Sequence, residues 1–211
     1  MIGFNVKNVL VLSAHTDDEQ ACSGTIAKAT RAGISVHHVI FSACEESVPS
    51  GFATDVLRGE AQNSAKVLGI PQENLQILNY RVRYFPSVRQ DILEELIRIR
   101  NVIKPDLVLL PSRSDIHQDH KTICEEGIRA FKFSSILGYE LPMNHFGFSN
   151  QCYISLDKGL MDIKIEAMKC YKSQEFRSYM TEAHFESLAK LRGTQAGYEY
   201  AEAYEVIRIR S

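Results

Sequence analysis

The 211-residue sequence predicts an α/β fold, a mostly parallel sheet with helices on both faces. Three observations predict it. Strand-like and helix-like segments alternate along the first two thirds of the chain. The strand-like runs are almost purely apolar, as strands covered on both faces must be. Glycine or proline closes the first three helical segments.

The elements follow in order. "NVLVLSA" at 8–14 is a short run rich in branched residues and reads as a buried strand. "GTIAKATRAG" at 24–33 reads as a helix stopped by Gly33. "SVHHVIFSA" at 35–43 is a second strand, and the Pro- and Gly-bearing stretch 44–53 is a loop. Helical spacing of Val56, Ala61, Ala65 and Leu68 predicts a helix over 54–69, with Thr54 as N-cap and Gly69 as stop. "LQILNY" at 75–80 is a third strand. Val88, Ile92, Leu96, Ile99 and Ile103 form the apolar stripe of a helix over 87–104, ended by Pro105. "DLVLLP" at 106–111 is a fourth strand, and "SDIHQDHKTICEEGIRAFK" enters another helix. The last third is less regular, with strands expected at 152–156 and 203–209 and helices at 157–172 and 180–192.

No composition shift, repeat or low-complexity stretch divides the chain, so one domain over 1–211 is expected. The net charge of -2 gives no electrostatic case for nucleic acid or an anionic membrane as partner. The run Val9–Ala14 is far too short to span a bilayer, and no basic stretch precedes a long apolar one. The five cysteines are irregularly spaced and lack a CxxC pair, which points to reduced thiols in a cytoplasmic protein.

Two polar clusters interrupt this ordinary picture. His15, Asp17, Asp18 and Glu19 follow the first strand directly, and "SDIHQDH" at 114–120 follows the fourth. Both therefore fall at the carboxyl ends of parallel strands, where open α/β sheets bind ligands. Neighbouring carboxylates repel unless a cation sits among them. A His-x-x-Asp loop and a His-x-x-His turn at a helix start present imidazole nitrogen and carboxylate oxygen to a divalent metal. Without thiolate, zinc suits this set, as do Fe2+, Co2+ or Mn2+.

"AHTDDE" with the downstream "HQDH" resembles the PIG-L/LmbE-like family of metal-dependent N-deacetylases, whose signatures are AHPDDE and HPDH. "LRGEAQNSAKVLGI" (57–70), "CYKSQ" (170–174) and "RGTQAGYEYAEAYEVIR" (192–208) resemble further family segments, so the likeness runs along nearly the whole chain. It implies a Rossmann-like three-layer α/β/α sandwich and zinc-dependent hydrolysis of the N-acetyl group of an amino sugar, or of its nucleotide or glycoside conjugate. That is a hydrolase acting on linear amides, of EC 3.5.1 type. The resemblance implies His15, Asp18 and His120 as metal ligands and Asp17 as the general base for the attacking water. It implies His117 as the group that stabilises the oxyanion or protonates the leaving amine, with Asp119 paired to it so that the imidazole stays protonated. Arg58 matches a family arginine near the substrate.

Thr16 and Gln118 stand where the signatures carry proline, and neither replaces a ligand or base. Glu19 is expected to support the loop from behind. Arg81 and Arg83 follow the third strand on the same edge and are suited to hold a phosphate of a nucleotide sugar; surface charge or oligomer contact is the alternative. Glu45 and Glu46 read as solvated loop acids, His145 as incidental, and His37 and His38 as structural. Two rival functions stay open: a phosphoesterase, which would need a second metal and further ligands, and a non-catalytic sugar-binding relative, against which the intact Asp17 argues.

Overall fold

A computed structural model describes residues 6–210. One seven-stranded sheet organises them: β1 (Asn8–Ser13), β2 (Ser35–Ile40), β3 (Leu75–Ile77), β4 (Leu107–Pro111), β5 (Ser135–Tyr139), β6 (Cys152–Leu156) and β7 (Tyr200–Arg208). The spatial order is β3-β2-β1-β4-β5-β7-β6. The first five strands are parallel, and β7 runs antiparallel between β5 and β6.

Six helices cover the sheet: α1 (Ser23–Arg31), α2 (Val56–Val67), α3 (Arg89–Ile103), α4 (Gln118–Ala130), α5 (Lys158–Met168) and α6 (Glu182–Ala196). Alternate residues of β1 feed two separate cores. Val9 and Val11 pack with Ile26, Ala61, Met161 and Phe185 from α1, α2, α5 and α6. Leu10 and Leu12 pack with Ile92, Leu96 and Ile123 from α3 and α4. Both faces are thus dry, which is why the strand sequences are continuous apolar runs. Among the described residues, no helix is long and apolar enough to cross a membrane.

Most predicted elements form within a few residues of their expected ends. Gly33 and Gly69 take positive φ after α1 and α2, as helix-stopping glycines do. α2 starts later than expected, with Asp55 rather than Thr54 at its N-cap and no side-chain cap. α3 begins at Arg89 because Phe85–Val88 form a separate 3-10 turn. α5 ends at Met168, four residues short of the expected 172, and Lys172–Gln174 make their own 3-10 turn. β5 has no counterpart in the sequence reading. Its "SILGY" is buried at every position, so it lacks alternation, and Ser135 and Gly138 dilute its apolar signal. Gly138 is required there, since a Cβ would meet the Ser112 Cα at 2.8 Å.

The consequence for function is topological. From β1 the chain winds outward through β2 to β3, then returns to place β4 on the other side of β1. The crevice beyond the carboxyl ends of β1 and β4 is therefore the switch point of the sheet.

Candidate metal centre and active site

His15 lies two residues beyond β1, and Asp115, His117 and His120 lie beyond β4. Each loop is closed by its own side chains. Asp18 Oδ2 accepts the His15 backbone N–H at 2.8 Å. Asp115 Oδ1 accepts the His117 N–H at 2.8 Å. His117 is the N-cap of α4, its Nδ1 accepting the Asp119 N–H at 3.2 Å. The first turn of α4 then carries His120 toward the β1 loop.

The two loops meet at one point. His15 Nδ1 faces His120 Nε2 at 2.9 Å. Asp18 Oδ1 lies 3.3 Å from His120 Nε2 and 3.8 Å from His15 Nδ1. The far nitrogen of each ring is bound to a carboxylate: His120 Nδ1 to Asp115 Oδ2 at 2.7 Å, His15 Nε2 to Asp119 Oδ2 at 3.1 Å. Carboxylate partners of this kind hold the ring hydrogen on the far nitrogen. Two imidazole lone pairs and a carboxylate oxygen then converge with no donor between them. That donor set fits a divalent metal. His117 brings a third ring nitrogen within 4.8 Å of those of His15 and His120.

The titration behaviour follows from this crowding. Burial would raise Asp18, but the adjoining His120 and His15 outweigh it and hold the carboxyl well below its usual range. Burial would lower His120, yet Asp18 and Asp115 raise it to about 10. His15 is raised in the same way by Asp18 and Asp119 against its burial. Protons thus take the place that a cation would fill. Asp17 lines the same pocket and is raised by burial and by the Asp18 charge.

The expected pairing of Asp119 with His117 is corrected. The Asp119 carboxylate turns away from the His117 ring toward His15, because the backbone N–H groups of Arg83 (2.5 Å) and Phe85 (3.2 Å) hold it there. Burial and the neighbouring His120 and His15 charges push His117 down to about 4. His117 is therefore neutral near pH 7, against the expectation of a protonated ring. With Nδ1 engaged as an acceptor, its hydrogen sits on Nε2.

The pocket above this centre has a volume of about 310 Å³. Arg83 lines it, in a left-handed backbone conformation (φ 71°) that delivers its N–H to Asp119. Arg58 lines a neighbouring hollow of about 260 Å³, which shares Cys44 and Val82 with the first. There Arg58 meets Glu45 at 3.4 Å and also the Asn79 side chain, while Glu46 binds Arg81 at 2.7 Å. Glu45 and Glu46 are thus exposed loop acids, as read from sequence, but paired ones. His145 braces its own loop against Ser114 and the Leu141 N–H. His38 is a buried sheet residue bonded to Ser13 at 2.8 Å, matching its structural reading.

Glu19 is 1% exposed and supports the loop from behind, as expected. Its Oε1 accepts from Ser64 of α2 (2.8 Å) and from Tyr171 (2.6 Å). Burial pushes its carboxyl up to about 8. The same Tyr171 hydroxyl, its one hydrogen shared between the two acceptors, also reaches the Thr16 carbonyl, so the threonine that replaces a signature proline is held by its backbone.

Three residues of the centre and its pocket carry no assigned role in the sequence reading. For Asp115, an acid just ahead of an H-x-x-H turn is the available signal. Arg177 and Tyr179, which also line the pocket, sit in an irregular loop with no motif around them.

Solved structures with this fold include the N,N'-diacetylchitobiose deacetylase of Pyrococcus horikoshii (TM-score 0.77, 22% identity, 96% of this chain and 84% of that one). GalB, the 4-carboxy-2-hydroxymuconate hydratase of Pseudomonas putida, matches with a TM-score of 0.79 at 21% identity, over 97% of this chain and 98% of that one. A zinc-inhibited form of the teicoplanin deacetylase Orf2 matches with a TM-score of 0.75 at 16% identity, over 97% and 99%. These likenesses establish the fold. Kinship rests on the sequence itself: residues 10–131, which contain both histidine clusters and more than half the chain, match the GlcNAc-PI de-N-acetylase model. The chain belongs to the PIG-L (GlcNAc-PI de-N-acetylase) family.

Proposed function

We propose that the protein is a zinc-dependent N-deacetylase of an amino sugar, or of its nucleotide or glycoside conjugate. The observation that carries this reading is the convergence of His15 Nδ1, His120 Nε2 and Asp18 Oδ1, with Asp17 beside them. His15, Asp18 and His120 would hold the metal. Bound there, zinc acts as a Lewis acid that acidifies water and polarises the acetamide carbonyl. The family match, and the two deacetylases among the similar structures, support the same reaction class.

The residues divide the remaining work. Asp17 takes the proton of the attacking water; its raised basicity suits a carboxylate acting near neutral pH. Neutral His117 donates from Nε2 to the oxygen of the former carbonyl as negative charge develops on it. The C–N bond then breaks, and the amine takes from Asp17 the proton that the water gave up. Asp115 and Asp119 orient the two ring ligands. Asp119 therefore serves the centre through His15. Arg83 and Arg58 would contact the rest of the substrate, Arg58 only one long enough to reach the second hollow. The free state of all five cysteines is in keeping with a reducing, cytoplasmic setting.

A phosphoesterase centre would need a second ligand cluster. Among the described residues Glu45 and Glu46 are engaged by arginines and Asp115 by His120, which favours a single metal. Acetate release from a panel of N-acetylated sugars and nucleotide sugars tests the proposal. Release that chelator abolishes and zinc restores supports it. Metal-dependent phosphate release without acetate would overturn it in favour of the rival.

A further inference from the structure

Arg177 differs from every other arginine around the two hollows. Arg58 meets Glu45, and Arg81 and Arg83 meet Glu46. Among the described residues no carboxylate lies within 4.0 Å of the Arg177 guanidinium, although it is half-buried and lines the metal-centre pocket. Arg81 and Arg83, which the sequence offers either as phosphate contacts or as surface or oligomer charges, already meet Glu46.

The Arg177 side chain is also aimed by a buried relay. Its Nε donates to Gln174 Oε1 at 2.7 Å. Gln174 Nε2 donates to Ser173 Oγ at 3.0 Å. Ser173 gives both its hydroxyl (2.6 Å) and its backbone N–H (2.8 Å) to the carboxylate of Glu60 on α2. Glu60, Ser173 and Gln174 are 6%, 1% and 3% exposed. The guanidinium also meets Tyr179, and its charge is felt at Asp17, but no carboxylate among the described residues pairs with the edge formed by its two terminal nitrogens. That edge is the fork that matches phosphate or carboxylate oxygens in pairs.

We propose that Arg177 is the residue that selects a substrate carrying an oxyanion, a phosphate or carboxylate on or next to the acetamido sugar. Glu60 is its positioning residue, acting through Ser173 and Gln174. The pocket of about 310 Å³ suits this class, since it falls at the small end of ligand cavities, roughly 300–1,000 Å³. It holds a monosaccharide with one charged substituent more readily than a long neutral glycan. The kinetic arm of the test rests on the deacetylase reading; the binding arm does not.

The zinc-loaded full chain would be titrated calorimetrically with glucosamine, glucosamine 1-phosphate, muramic acid and inorganic phosphate. The charged sugars should bind more tightly than glucosamine. Arg177→Gln should remove about 10- to 100-fold of that preference, with a smaller effect on glucosamine. Loss for one charged sugar only identifies whether phosphate or carboxylate is the native group. In kinetics with the N-acetylated forms, Arg177→Gln should raise KM for the charged substrates with little change in kcat. Gln174→Leu and Glu60→Gln should do the same more weakly, and Arg177→Lys should rescue part of the effect. If Arg177→Gln instead lowers kcat equally for neutral and charged sugars and shifts the pH profile, Arg177 serves Asp17 and the proposal fails. It also fails if the variant binds all four probes like the parent chain. No acetate from any sugar, with Arg177-dependent binding intact, would overturn the deacetylase reading alone.

Discussion

Two buried polar clusters sit on either side of the start of α1, and they are built on opposite principles. In the first, Lys164 Nζ donates to Glu202 Oε1 at 2.7 Å, to Ser23 Oγ at 3.3 Å and to the Gln20 carbonyl. Glu202 also accepts the Gly24 and Thr25 N–H groups at the first turn of α1 and the Tyr204 hydroxyl. Each charge meets its complement, and the group is closed. In the second cluster, acceptors of His15, His120 and Asp18 point at one another. Their outer atoms are fully engaged, by Asp115, Asp119 and the His15 N–H. A structural cluster satisfies itself, whereas a binding cluster fixes its outer partners and leaves its inner ones open.

Four changes bear on this contrast. The largest effect should come from Asp17→Asn, which removes the proposed base but none of the converging donors. Metal content should hold, while kcat falls by about 10²–10⁴-fold; steady-state acetate release and metal analysis of the same sample check both halves. Next, Lys164→Met strands Glu202 in the closed cluster and should cost about 3–5 kcal/mol of stability. Denaturant unfolding measures that loss, and zinc affinity should not move, because the metal donors keep their own partners.

A third change concerns His38, another self-satisfied group, bonded to Ser13. Burial pushes it down to about 4, from 6.5 as a free side chain. The unfolded chain then binds the proton more readily than the folded one. The His38 contribution is present above pH 6.5 and is lost as pH falls toward 4, amounting to about 3 kcal/mol. Unfolding free energies at pH 7 and pH 4 should diverge less by that amount in His38→Gln than in the parent. The smallest effect belongs to Asp115→Asn. It loosens one outer partner of the open cluster and should weaken zinc binding by about 10–100-fold, as read by chelator competition.

Much of the open cluster could be read in the sequence because its residues lie in two short runs, each directly after an apolar strand. Position after a parallel strand predicted a shared edge, and His15, Asp18 and His120 do meet there. The segments "LRGEAQNSAKVLGI" and "CYKSQ" looked like distant family echoes, yet Ser64 and Tyr171 from them converge on Glu19. The illegible parts share a physical cause. Asp119 was misassigned because which imidazole it faces depends on the Arg83 and Phe85 N–H groups, some 35 residues upstream, that hold its carboxylate. β5 carried no period, and the insertion of β7 between β5 and β6 is a long-range pairing with no local signal. Arg177 owes its placement to a relay from α2 that crosses more than a hundred residues of sequence.

The most direct test of the open cluster is zinc binding to the full chain by isothermal titration, followed for the parent, His120→Ala and Lys164→Met. The account predicts one ion per chain in the parent and in Lys164→Met, and no measurable binding in His120→Ala. Undiminished binding in His120→Ala, or none in the parent, would contradict it.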